Sequence, residues 1–197
     1  MLMRKVRWTH KINHGVLLMI LFSLGATACS FNQHNVLAQD NALIGQVRPG
    51  MPPIDATSAI YELPVNANVS YQDLVESLKS LSEGMNFVNP ANFPIGEHIK
   101  QRGIDPQGVK EVRSFCNLSL GTEIMLDHPE FLVFAPCRIA IYEKPDGSNQ
   151  RRLYIAMDRP TFDLKSIKHP TERAKKSAQA LETKLLELMD KARKGDF

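Results

Sequence analysis

The clearest periodicity lies toward the C-terminus, where Ala174, Ala178, Leu181, Leu185, Leu188 and Ala192 recur at steps of four and three. That spacing lines one face of a helix, opened here by Pro170 and ended near Gly195. Half of the stripe is alanine, and Leu186 and Met189 widen it, which suits close packing within one core. A dimer contact is the alternative use. Upstream, Ser70 reads as an N-cap, with Leu74, Val75, Leu78 and Leu81 as the apolar stripe of a helix ended by Gly84. Strands are predicted at 57–63, 85–88 and 109–116. In the last of these Val112, Ser114 and Cys116 share one face, and Glu111, Arg113 and Phe115 the other. Shorter helices are predicted at 95–102, stopped by Gly103, and at 118–126, capped by Asn117 and ended before Pro129. Residues 137–143 and 152–157 alternate on either side of Pro145-Asp146-Gly147, the signal of a hairpin. A hairpin requires antiparallel pairing. The predicted class is therefore α+β: one domain, a mainly antiparallel sheet with helices packed on it, and a long C-terminal helix.

The N-terminal residues follow a different pattern. Residues 1–13 hold Arg4, Lys5, Arg7 and Lys11 and no acid, and residues 15–28 hold no charge. A basic flank, a short apolar run and small residues describe a secretory signal peptide over 1–28. The run is short of the roughly 20 apolar residues that span a bilayer. Ala26-Thr27-Ala28 directly before Cys29 resembles the lipobox of bacterial lipoproteins, although such boxes most often carry leucine where Ala26 stands. Cys29 is thus the expected site of lipid attachment, a transfer that needs a thiolate nucleophile. Ordinary signal cleavage is the alternative, with Val36-Leu37-Ala38 a weaker second site. A lipidated Cys29 would hold the protein on a leaflet without spanning it. Ser30 after it is compatible with the outer membrane, so the expected location is periplasmic, with the membrane as partner. Residues 29–55 read as a flexible tether reaching on the order of 30 Å, and residues 56–197 as one domain.

Charge changes the picture once the leader is set aside. It contains four of the 24 lysines and arginines and none of the 21 acids, leaving 20 bases against 21 acids. No basic excess remains to displace counterions from phosphates, which excludes a nucleic-acid partner.

If Cys29 is lipidated, Cys116 and Cys137 remain as a pair, with twenty residues between them. A strand, a helix and a second strand can bring them together. A disulfide needs Cα atoms within about 7 Å and would contribute ~3 kcal/mol over a loop of this length. Two other readings stand beside it. Cys116 precedes a predicted helix start, where peptide dipoles favour a thiolate, so the pair is a candidate redox site or a ligand set for a soft metal or haem iron. Alternatively both thiols are buried and inert. Cys-x-x-Cys spacing is absent.

Asn117, His128, Arg138 and Tyr142 are the candidate pocket neighbours, although alternation turns Arg138 away from the Cys137 side chain. His128 also fits a plain helix terminus. His34 falls in the tether, His98 beside Glu97, and His169 before Pro170. The chain has no Gly-x-Ser-x-Gly, phosphate-binding glycine loop or His-Glu-x-x-His, so no catalytic residue is assigned.

Cys116-Asn117, Leu126, Pro129, Pro136-Cys137-Arg138 and Tyr142-Glu143 together resemble the family of small bacterial and archaeal domains called domain of unknown function 302. Gly96-Glu97-His98-Ile99-Lys100-Gln101-Arg102-Gly103 is similar to that family's preceding helix. Ser119-Leu120-Gly121 and Ala135 depart from the pattern. The resemblance covers roughly residues 57–190 and implies a compact, often dimeric α+β domain with no activity to carry over. The expectation is an exported, lipid-anchored binding or accessory module whose site borders Cys116 and Cys137. A thiol-redox or metal- or haem-handling protein, and a structural envelope protein, are the alternatives.

Overall fold

A computed structural model describes residues 50–148 and 150–197. The leader, Cys29 and most of the segment read as tether lie outside the described residues. In chain order the elements are β1 (Ile60–Pro64), α1 (Tyr71–Gly84), β2 (Asn92–Phe93), α2 (Ile95–Lys100), β3 (Lys110–Phe115), α3 (Leu118–Met125), β4 (Cys137–Pro145), β5 (Arg151–Asp158), α4 (Pro160–Asp163) and α5 (Glu172–Ala192). Short 3-10 turns follow α3 at Pro129–Phe134 and α4 at Leu164–Ser166.

The five strands form one sheet in the order β1-β5-β4-β3-β2, and every pairing is antiparallel. The β4–β5 hairpin is its centre, as the alternation predicts. Register sets the two faces. Ile139 lies opposite Met157, and Ile141 opposite Ile155, which in turn faces Leu63. These residues are buried together with Leu74 and Leu78 of α1 and Ala178, Leu181 and Leu185 of α5. Each fully buried leucine or isoleucine contributes about 1.5–3 kcal/mol of apolar transfer. The other face presents Arg138, Ala140, Tyr142, Lys144 and Tyr154, all half-buried or exposed. The architecture is the expected α+β one.

Every residue of the predicted C-terminal stripe is buried within this chain. The stripe is core and is not free to form a dimer contact. The helix begins two residues later than Pro170, with Thr171 as N-cap accepting from the Ala174 N–H at 3.1 Å. In α1, Ser70 and Asp73 cap each other's backbone reciprocally. Gly84 still belongs to this helix, and the reversal comes at Asn86, whose φ of 61° lies in the left-handed region an Asn side chain tolerates. The strand expected over 85–88 shrinks to one bridge, Val88 with Cys116, because the tight turn at Asn86 leaves too little extended chain. β1 starts at Ile60 rather than 57: Asp55, Thr57 and Ser58 bond one another and the nearby backbone in a turn.

Residues 50–55, the end of the predicted tether, pack on the domain. Ile54 is buried, and the Pro52 carbonyl accepts from the Tyr61 hydroxyl at 2.7 Å.

Candidate functional site

β3 and β4 decide where the two cysteines go. Phe115, not Cys116, lies opposite Cys137. Paired residues share a face and neighbours in sequence alternate, so the two cysteine side chains leave the sheet on opposite sides. Cys137 packs against the core beside Phe115. Cys116 lies just beyond β3, its backbone paired with Val88. The two thiols are not bonded to each other: the register, offset by one residue, separates the side chains, so of the three readings of the pair the disulfide is not the one seen here. The redox or metal reading needs Cys116 shifted toward the thiolate, and burial acts in the other direction. It pushes the Cys116 thiol above the ordinary value. Cys137 is pushed up to about 12, by burial first and then by Asp158, Cys116 and Asp163.

The four predicted neighbours have separate tasks. Asn117 is the buried N-cap of α3, accepting from the Leu120 N–H at 3.1 Å. Arg138 is on the opposite face from Cys137, as alternation requires, and grips Asp158 at 2.7 Å. Tyr142 donates to Glu62 and stacks on Tyr154, with ring centres 6.3 Å apart. Burial and the Glu62 carboxylate hold the Tyr142 hydroxyl well above the ordinary tyrosine range. His128 is buried, and its Nε2 accepts the Thr171 N–H at 3.0 Å, tying the turn after α3 to the start of α5.

The structure instead opens a cleft of ≈ 380 Å³ at the far end of the β3–β4 pair, between the start of α1, the start of α2 and the turn before β3. None of the six predicted residues lines it. Its floor is a charged group on the core-facing side of the sheet. Glu111, 7% exposed, accepts a hydrogen bond from the Tyr71 hydroxyl and lies 2.7 Å from Arg113 Nε. Burial, then the bond to Glu111, raises the Tyr71 pKa, so the proton stays on the phenol. The helix cap at Ser70 places Tyr71 at the first helical position, within reach of Glu111.

The wall is built by a turn that only glycine can make. Gly108 has φ +89°, and an added Cβ would collide with the Glu143 carboxylate. That carboxylate accepts from the Val109 N–H at 3.1 Å. Lys110 curls over the same turn, donating to the carbonyls of Gln107 at 3.0 Å, Val109 at 3.1 Å and Glu143 at 3.0 Å. Pro94, Gly96 and Pro106 supply apolar wall, and Glu97, Lys100 and Asp105 line the rest. One sequence signal pointed here: Glu111 and Arg113 share an inward face with Phe115, and a charged pair on a core face calls for an explanation.

A five-stranded antiparallel sheet with helices on one face and an open cleft at one end defines a small α+β domain. The profile of the family described as domain of unknown function DUF302 matches residues 61–192, and the chain belongs to that family. An "Uncharacterized protein" of Aquifex aeolicus (strain VF5) is 38% identical over 80 residues, a stretch covering 41% of this chain and 49% of that protein. The chain thus matches about half the length of that relative. The crystal structure of an uncharacterized conserved DUF302 protein from Bacillus stearothermophilus superposes with a TM-score of 0.59 at 19% identity. It covers 68% of this chain and 98% of that one, a likeness of fold alone.

Proposed function

We propose that the protein is an exported, lipid-anchored accessory module that holds a small polar ligand in the Tyr71–Glu111 cleft. The cleft carries this reading. Its ≈ 380 Å³ falls within the roughly 300–1,000 Å³ of small-molecule sites. Apolar walls beside a few polar groups are the composition of such sites, and here the Arg113 guanidinium lies beside Glu111. Export and anchoring rest on the sequence: the basic flank, the apolar run and Cys29. They support a periplasmic location, and Ser30 after Cys29 is compatible with the outer membrane.

Chemistry at Cys116 and Cys137 finds less support. Thiolates are the species that exchange disulfides and bind soft metals or haem iron, and burial shifts both thiols away from the thiolate.

A thermal-shift screen of the full chain in detergent against small polar metabolites tests the reading, with Glu97→Trp as the comparison. Glu97 lines the cleft from an exposed position, so tryptophan there crowds the mouth without entering the core. A compound that raises Tm for the natural chain and not for Glu97→Trp is the expected result. No stabilising compound, or equal shifts in both proteins, would overturn it.

A further inference from the structure

We infer that the end of the domain carrying the cleft faces the leaflet that holds the anchor, because the segment Gly50–Asp55 straps the incoming chain to that end. This rests on the anchored reading and adds the leaflet as the partner of one particular surface.

The sheet has two ends, and β1 starts at the one away from the cleft. Ile60, its first residue, lies opposite Asp158, which Arg138 grips beside Cys137. Tyr71, Val109 and Glu143 line the cleft at the other end, toward the β4–β5 turn. α5 finishes there as well. The Arg193 carbonyl accepts the Asn66 N–H at 3.0 Å, in the segment that leads to Tyr71. A chain entering directly at β1 would therefore be tethered far from the cleft.

The strap moves that point. Asp55, Thr57 and Ser58 turn the chain back on itself, and the residues before the turn run along α5. At the start of the run the Asp55 carbonyl accepts from Arg159 Nη1 at 2.7 Å, and that guanidinium is paired with Glu182. In the middle Ile54 is buried, and the Pro52 carbonyl takes the Tyr61 hydroxyl at 2.7 Å. At the far end Met51 packs on the core, and the Gly50 carbonyl lies 3.4 Å from Arg193 Nη2. From Glu182 to Arg193 the helix rises about 16 Å, close to the roughly 17 Å that five extended residues cover. Pro52 and Pro53 suit this run, since they keep the chain extended and have no N–H to leave unpaired.

The chain thus joins the domain at Gly50, at the cleft end. Residues 29–49, taken as the tether that the sequence predicts, have an average reach of about 25 Å. That is shorter than the roughly 30 Å length of α5. A domain held by one end on such a tether keeps that end nearer the surface, and a solute at the headgroups meets the cleft first.

The test is paramagnetic broadening of amide NMR signals. The natural protein, purified with the lipid on Cys29, is placed in nanodiscs of phosphatidylethanolamine and phosphatidylglycerol whose headgroups carry a gadolinium chelate. Gly108 and Val109 should lose more signal than Leu126 and Val133 at the opposite end. In Ile54→Ser/Tyr61→Phe, which removes the side chain and the hydroxyl that hold the strap, this difference should shrink or reverse while the sheet amides of Val112 and Ile141 keep their shifts. Tyr61→Phe alone makes the same comparison in a chain that keeps Ile54. Equal losses at the two ends of the natural protein, or greater losses at Leu126 and Val133, would overturn the proposal. A difference unchanged in both variants would also overturn it, because the strap would not set the orientation. A Cys29 peptide without lipid would remove the anchored reading and the leaflet with it, and its mass tells that failure from a domain anchored but turned the other way.

Discussion

Arg159 and Glu182 form an ion pair that solvent scarcely reaches: Nε lies 2.9 Å from Oε1, and the side chains are 6% and 0% exposed. The same guanidinium donates to the carbonyls of Asp55 at 2.7 Å and Ser58 at 2.9 Å. The other Glu182 oxygen takes the Thr161 N–H at 2.9 Å. One buried pair thus joins the end of β5, α4, α5 and the segment entering β1. Glu182→Ala strands a buried cation and should cost about 3–5 kcal/mol in urea unfolding. Glu97→Ala, which breaks an exposed pair with Lys100, should change stability little. Equal small losses in both would show that the buried pair is not what holds these elements together.

Asp163 gives the domain a pH dependence of opposite sign to an ordinary ion-paired carboxylate. Burial, followed by the nearby Asp158 charge, raises its pKa from 3.8 to about 6. The folded state binds the proton more tightly than the unfolded one. Its contribution is therefore most favourable below the unfolded pKa and is lost as pH rises through about 6. Allowing for its partial exposure, the loss is on the order of 1 kcal/mol. Asp163→Asn should stabilise the protein at pH 8 and change little at pH 4. Stabilisation of the same size at both pH values would mean that packing, not charge, is responsible.

The thiols should behave as two protected cysteines. With its pKa near 12, native Cys137 should alkylate on the order of a thousandfold more slowly than a free thiol at pH 8. After unfolding without reductant, the Cys116 and Cys137 peptides should both carry adducts. Unmodified peptides that become alkylatable only after reduction would mean that the sheet register is not maintained in the cell.

Elements with strong local period were legible in the sequence: the α5 stripe, the β4–β5 hairpin and the alternation of β3. The cysteine geometry was not. Facing one residue earlier, Phe115 rather than Cys116, reverses which side of the sheet a side chain takes, and local pattern does not fix cross-strand register at that resolution. The cleft was hidden for another reason. Tyr71 and Glu111 are forty positions apart, and Val109 and Glu143 thirty-four. No window along the chain holds both halves of either contact. The inward charges of Glu111 and Arg113 were the local trace of it. His128 and Asn117 sat at helix ends in the sequence and are at helix ends in the fold. Their hydrogen bonds are structural ones.

Cys29 separates the anchored reading from simple secretion. One diacylglyceryl group contributes about 0.8 kcal/mol for each methylene it buries, and its two chains together exceed what a single acyl chain can hold. The natural protein, expressed in a bacterial host with both membranes, should sediment with the outer membrane. Its N-terminal peptide should carry a lipid-sized mass on Cys29. Cys29→Ser should lose that mass and leave the outer membrane. A soluble natural protein beginning at Cys29 or after Ala38 would sink lipidation and leave export standing. Natural and variant chains that both stay in the inner membrane at full length would instead make residues 15–28 an uncleaved anchor, holding the domain at the periplasmic face of that membrane.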